Sequence, residues 1–234
     1  MILLTTNTKL DKTNSDSESK FVVKTLQLAP HKVAGKNSIC PDSTPGCRRS
    51  CIYLAGHGRF AKTQSARMLR TQMYHKYPSS FLYKLDDELN KFEKSANKKG
   101  KSPCVRLNCY SDIPWETLTV RDNKNIFDLH PKIQFYDYTK SKQRMLNFID
   151  GQLPSNYYLV FSRSEVNESE CKEILERGGN VAAVFQEVPS TWLDAKVVDG
   201  DSSDLRFLEG KQGIVIGLYE KGIGKQDPTG FVIR

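Results

Sequence analysis

Long apolar runs are absent from this chain of 234 residues. None approaches the roughly 20 consecutive apolar residues that a membrane helix needs, which excludes a helical membrane protein. The opening MILLTTNTKLDKTNSDSESK lacks the basic n-region and long apolar h-region of a secretory signal, so a cytoplasmic protein is expected. No Ser/His/Asp triad motif, HExxH pair or dinucleotide fingerprint occurs, and the enzyme classes most readily read from such motifs drop out. GIGK at 222–225 lacks the rest of a GxxxxGK[ST] phosphate loop and reads as a turn. There is no internal repeat.

What remains is a globular composition, 38% hydrophobic and 26% charged, long enough for a sizeable core. The net charge of +8 favours nucleic acid, a nucleotide or a phosphate-bearing cofactor. A basic surface with no partner reads the same way in composition.

Half of the six cysteines crowd into ICPDSTPGCRRSC: Cys40, Cys47 and Cys51, spaced C-x6-C-x3-C. Disulfides are rare in a reducing compartment, where clustered cysteines more often serve metal or redox chemistry. Three readings stay open. The cysteines hold three irons of a four-iron cluster and leave the fourth iron open. Or they bind zinc, with His57 as the local candidate for a fourth ligand. Or they are three buried thiols. Cys104, Cys109 and Cys171 read as packing residues.

Residues 1–20 are polar and read as a flexible arm, leaving 21–234 as a single domain. Strand-like runs fall at 21–28, 105–109, 133–138, 157–161, 181–185, 196–198 and 214–218. Several are apolar throughout, as in strands buried on both faces. Helical periodicity covers 64–95, split by Pro78, and helical or mixed segments fall at 115–129, 141–150 and 168–177. Strand and helix in alternation imply an α/β fold with mostly parallel strands. A partial or irregular TIM-like (β/α) barrel is expected, with an open doubly wound sheet as the alternative. Polar groups follow the strands: Asn108, Ser111 and Asp112; Asp137, Thr139 and Lys140; Ser162 to Glu165; Asp199, Asp201, Asp204 and Arg206. In parallel β/α folds that edge holds the site.

LAPHKVAGKNSICPDSTPGCRRSCIYLAGHGRF, VRLNCYSDIPWE, IQFYDYTK, YYLVFSRSE, GGNVAAVF and VVDGDSSDLRF resemble successive blocks of the gene-product-88 family, carried by phages, plasmids and bacteria. The resemblance covers about residues 21–234 and brings no settled function. Relatives tend to carry glycine at position 109, which speaks against Cys109 as an obligatory ligand. More distantly, three cysteines between a first strand and a β/α series resemble the layout of radical-SAM proteins. Their usual motif is C-x3-C-x2-C, from which this chain departs. That resemblance implies a partial barrel, a four-iron cluster and S-adenosylmethionine.

The leading expectation is therefore an iron–sulfur enzyme acting on a nucleotide or nucleic acid, with Cys40, Cys47 and Cys51 as metal ligands. Asp112, Lys140, Glu165 and Asp201 are its expected catalytic residues, and Arg106, Asn108, Arg163, Asp199 and Arg206 its ligand-binding ones. The alternative is a zinc-stapled nucleic-acid-binding protein of phage or plasmid replication. It would bind through Arg48–Arg49, an Arg67/Arg70/Lys76 helix and the lysines of 94–101. Tyr53, Tyr74, Tyr77 and Tyr83 would stack bases.

Overall fold

A computed structural model describes the backbone of all 234 residues and every side chain except that of Thr8. In chain order the elements are β1 (Leu4–Thr5), α1 (Thr8–Ser15), β2 (Phe21–Leu26), α2 (Pro45–Arg49), α3 (Ala61–Lys76), α4 (Pro78–Lys98), β3 (Ser102–Arg106), α5 (Ile126–Leu129) and β4 (Gln134–Thr139). They continue as α6 (Lys142–Ile149), β5 (Tyr157–Ser162), α7 (Glu168–Glu176), β6 (Val181–Phe185), β7 (Thr191–Trp192), β8 (Ala195–Asp199), β9 (Val215–Tyr219) and β10 (Val232–Ile233). Among the described residues no helix is long and apolar enough to cross a membrane.

The structure is mixed α/β, with ten strands in a mostly parallel, open sheet. Nine strands follow one linear order, β1-β2-β3-β4-β5-β6-β9-β8-β7, with β10 paired to β6 off it, and the barrel closure expected from the sequence is not seen among the described pairings. The chain divides into two compact units. The first comprises Met1–Ile39, Ser65–Asp137 and Leu153–Tyr158; the second comprises Cys40–Gln64, Tyr138–Gln152 and Leu159–Arg234.

In the first unit β2 pairs with β3, and β3 with β4, in parallel, and β1 pairs antiparallel with β2. Pro78 ends α3 and opens α4, because its ring cannot continue a helix but suits the first turn. Phe81, Leu85, Leu89 and Phe92 then form the buried stripe of α4. The supposed polar arm is packed: Leu3, Leu4 and Leu10 are buried, the N–H groups of Leu3 and Leu4 donate to Glu88, and the Asn14 carboxamide exchanges two hydrogen bonds with the Val23 backbone. Its leucines are too few to show a period, and the composition hid them.

In the second unit β5, β6 and β9 are parallel neighbours, with β8 parallel to β9 and β10 parallel to β6. The short β7 pairs antiparallel with β8 through a turn in which Leu193 and Asp194 both take positive φ, 49° and 62°. Two such residues in succession are the signature of a type I′ hairpin. The all-apolar VAAVF of β6 is the central strand here, flanked by β5 and β9.

Candidate functional site

In the second unit, the cysteine segment is shaped by local rules and then tied down by one carboxylate. Thr44 is extended, Pro45 takes the first helical position, and Thr44 Oγ1 accepts the Cys47 N–H at 3.2 Å as the N-cap of α2. The same hydroxyl donates to Glu165 Oε2 at 2.7 Å, and the Gly46 N–H donates to Glu165 Oε1, also at 2.7 Å. Glu165 thus satisfies an orphan donor of the helix start from the loop that follows β5. Gly46 has no room for a side chain: an added Cβ would sit 2.6 Å from Glu165 Oε2 and would strike Thr229 Oγ1.

Thr229 belongs to a turn organised by Asp227. The Asp227 carboxylate accepts Thr229 Oγ1–H at 2.6 Å and the Val232 N–H at 3.0 Å. Arg163, nine-tenths buried, donates to the carbonyls of Gly230 and Phe231, the latter at 2.8 Å. Lys140 Nζ donates to Ser162 Oγ at 2.6 Å and lies 5.4 Å from the centre of the Phe231 ring. The ends of β4 and β5, the start of α2 and the 227–232 turn therefore meet in one polar knot. Its charged groups are already engaged with the chain's own donors and acceptors.

Burial alone would raise the pKa of Glu165. The hydrogen bonds from Thr44, from its own backbone and from Gly46, helped by the Lys140 charge, outweigh it and hold the carboxyl below the usual range. Asp227 follows the same pattern: burial pushes it up, and the bonds from Thr229 and Val232 pull it down further. Both are anchoring carboxylates that stay ionised.

The other expected site residues fall elsewhere. Asp201 accepts the Tyr219 N–H at 3.1 Å and pairs with Lys221, while Asp199 Oδ1 accepts the Asp201 N–H at 2.8 Å. Together they fasten the loop after β8 to the end of β9. Arg206 is 1% exposed and pairs with Glu209 at 3.1 Å. Asp112, Asn108 and Arg106 lie in the first unit. Asp112 is buried and its N–H donates to the Ile39 carbonyl. Arg106 ends β3, half-buried. Asn108 is the hub of a buried network. Its Oδ1 accepts from Ser111, the Ile113 N–H and Trp115 Nε1 at 2.8, 3.0 and 3.1 Å, and its N–H donates to Asp137 at 2.7 Å. Tyr157 also donates to Asp137, at 3.2 Å. The NCYSDIPW run is thus tied together through the Asn108 side chain, whose carboxamide nitrogen also donates to the Ile113 carbonyl at 3.0 Å.

All six cysteines are reduced. Among the described residues, no three or more His, Cys, Asp or Glu side chains stand together in a group able to hold a metal. Cys40, Cys47 and Cys51 are half-buried in one segment. Burial pushes the Cys104 and Cys171 thiols up to about 12, as suits inert packing residues.

The exposed side of the cysteine segment is basic. Arg48, Arg49, Arg59 and Lys62 are exposed, and so are Ile52, Leu54, His57 and Phe60. Residues 43–64 contain no Asp or Glu. The His57 and Phe60 rings are 5.7 Å apart, and the Arg59 guanidinium is 5.7 Å from the Phe60 ring centre. Arg49 and Lys62 have no side-chain hydrogen bond or ion pair among the described residues. Of the other basic residues expected on a binding face, Arg67 and Arg70 are buried. Arg67 donates to Gln27 Oε1 at 2.8 Å, and Arg70 to the Ile2 carbonyl at 2.8 Å. Tyr53 is buried, and Tyr74 packs edge-on against Phe81 and Trp115.

Fold and site together define a mixed α/β protein with an open, mostly parallel sheet and a basic, aromatic-bearing loop. The family model described as Gene product 88 matches residues 1–234, and the chain belongs to that family. No curated protein and no solved structure matches it. The radical-SAM layout finds no support in these comparisons, and the sheet is open.

Proposed function

We propose that this protein binds single-stranded nucleic acid through the exposed face of residues 48–62. The carrying observation is the coincidence, on one carboxylate-free stretch, of four exposed cations with an exposed aromatic pair. Cations spaced along a loop neutralise successive phosphates and release their counterions. Flat rings between them offer faces on which unpaired bases stack, whatever their sequence. Arg59, held over Phe60, serves both roles. The net charge of +8 supplies a long-range attraction of the same sign.

In this reading the polar knot around Glu165 is the foundation of the loop. Glu165, Thr44 and Gly46 fix α2, and α2 presents Arg48 and Arg49. The proposed binding needs no iron, zinc or S-adenosylmethionine.

Fluorescence anisotropy with a labelled single-stranded oligonucleotide tests the reading. Phe60→Ala is expected to weaken binding by about tenfold, the lower part of the range for one stacked base. Arg49→Ala and Arg59→Ala together should weaken it further and without regard to sequence. Unchanged affinity in both variants, with folding intact, would remove the face from the account.

A further inference from the structure

A cleft of about 400 Å³ opens beside the β7–β8 hairpin, lined among others by Phe185, Gln186, Glu187, Thr191, Trp192 and Arg234. Its volume is in the range of small-molecule sites. Trp192 is half-exposed and its ring stands edge-on to the buried Phe185, 6.0 Å between centres at 82°. That contact fixes the indole while leaving part of it open to the cleft. Arg234, the cation in the lining, is already committed: it donates to Gln186 Oε1 at 2.7 Å and pairs with Glu220 at 3.1 Å. Glu187 is exposed and has no side-chain hydrogen bond or ion pair among the described residues. The cleft therefore offers a flat ring, an unengaged carboxylate and no unpaired cation, a combination that suits a base and repels a phosphate.

The cleft also adjoins the proposed binding face. Arg234 donates to the Lys225 carbonyl at 3.2 Å. In the same 222–226 turn, a Cβ added at Gly222 would be 3.6 Å from the Ala55 Cβ, inside the cysteine segment. The 222–226 turn thus touches both the cleft lining and the segment that carries the basic face.

We infer that this cleft is a nucleobase pocket that prefers guanine, with Trp192 stacking on the ring and Glu187 reading its edge. This deepens the single-strand-binding reading and rests on it for the polymer, although the pocket itself is tested with a free nucleoside. The chemistry selects the base. A carboxylate has two acceptor oxygens and no donor. Guanine presents two adjacent donors, N1–H and the 2-amino group, and both can be met at once. Adenine and cytosine present one donor beside a ring-nitrogen acceptor, and uracil one donor between two carbonyl acceptors that a carboxylate repels. Bidentate recognition of a base edge is the stronger and more selective kind.

The chain has two tryptophans, and the other, Trp115, is fully buried. Quenching of tryptophan emission in the intact protein therefore reports on Trp192. Guanosine should quench saturably, and uridine should bind about tenfold more weakly or worse. Because nucleosides carry no phosphate, the affinity should be insensitive to salt. Glu187→Gln should erase the preference for guanosine over the other nucleosides. By calorimetry, Trp192→Ala should lose guanosine while Trp192→Phe, which keeps a flat ring, retains it. Absence of saturable quenching by guanosine would overturn the pocket. So would equal affinity for all four nucleosides that Glu187→Gln leaves unchanged. The two proposals fail separately: oligonucleotide binding without nucleoside binding sinks only the pocket, and the reverse sinks only the basic face.

Discussion

Glu165 accepts the Gly46 N–H at 2.7 Å, and the hydrogen atoms of Gly46 are all that its side of the contact has room for. Gly46→Ala should therefore destabilise the protein by about 1–3 kcal/mol, the usual cost of overpacking. Glu165→Ala leaves the Gly46 N–H without its acceptor and should cost about 1–3 kcal/mol. Denaturant unfolding measures both. Each change should also weaken oligonucleotide binding, because α2 loses the hold that orients Arg48 and Arg49.

Acid should act in two stages. Burial lowers the pKa of His130 more than its neighbour Asp86, 2.9 Å away, raises it, and the fold keeps the ring neutral. The unfolded chain takes up that proton near pH 6.5. Stability should then fall as pH drops below that value, until the folded form also protonates. Glu165 and Asp227 shift the other way: their folded values lie below the unfolded ones, near 4. Their contribution is complete above that range and is lost as pH falls through the lower, folded values. Unfolding free energy measured from pH 7.5 to 3 should show both declines, and His130→Gln should flatten only the first.

Asn108→Ala should cost about 3 kcal/mol, because it strands the partners of a buried network. Affinity for an oligonucleotide should stay within about twofold of the wild type at a temperature where the variant is folded. A variant that keeps its stability and loses binding would move Asn108 from scaffold to ligand contact.

Replacing Cys40, Cys47 and Cys51 together by serine should leave nucleic-acid binding intact. Elemental analysis of the purified wild type for iron, sulfide and zinc accompanies this test. Loss of binding in the triple variant, together with stoichiometric metal in the wild type, would restore the metal seat as the basis of function.

The alternation of strand and helix was legible because runs such as YYLVFS and VAAVF are buried nearly throughout, as strands covered on both faces require. The break at Pro78 was legible for a local reason, the missing N–H. Sheet closure was not legible, since open and closed parallel sheets share one local pattern. Among the site residues, Lys140, Arg163 and Glu165 do come together at the strand ends. Their partners, Thr44, Gly46 and Thr229, lie far off in sequence, and no periodicity marks them. The Thr-Pro-Gly turn did carry a usable signal, an N-cap followed by proline at the first helical position.

The most direct test of the central claim is the salt dependence of single-strand binding. Log affinity plotted against log salt concentration should be linear, with a slope of about −3 if Arg48, Arg49, Arg59 and Lys62 each neutralise one phosphate. Arg49→Ala should reduce that slope by about 0.7. A slope near zero, or one that Arg49→Ala leaves unchanged, would contradict the assignment of the 48–62 face to nucleic acid.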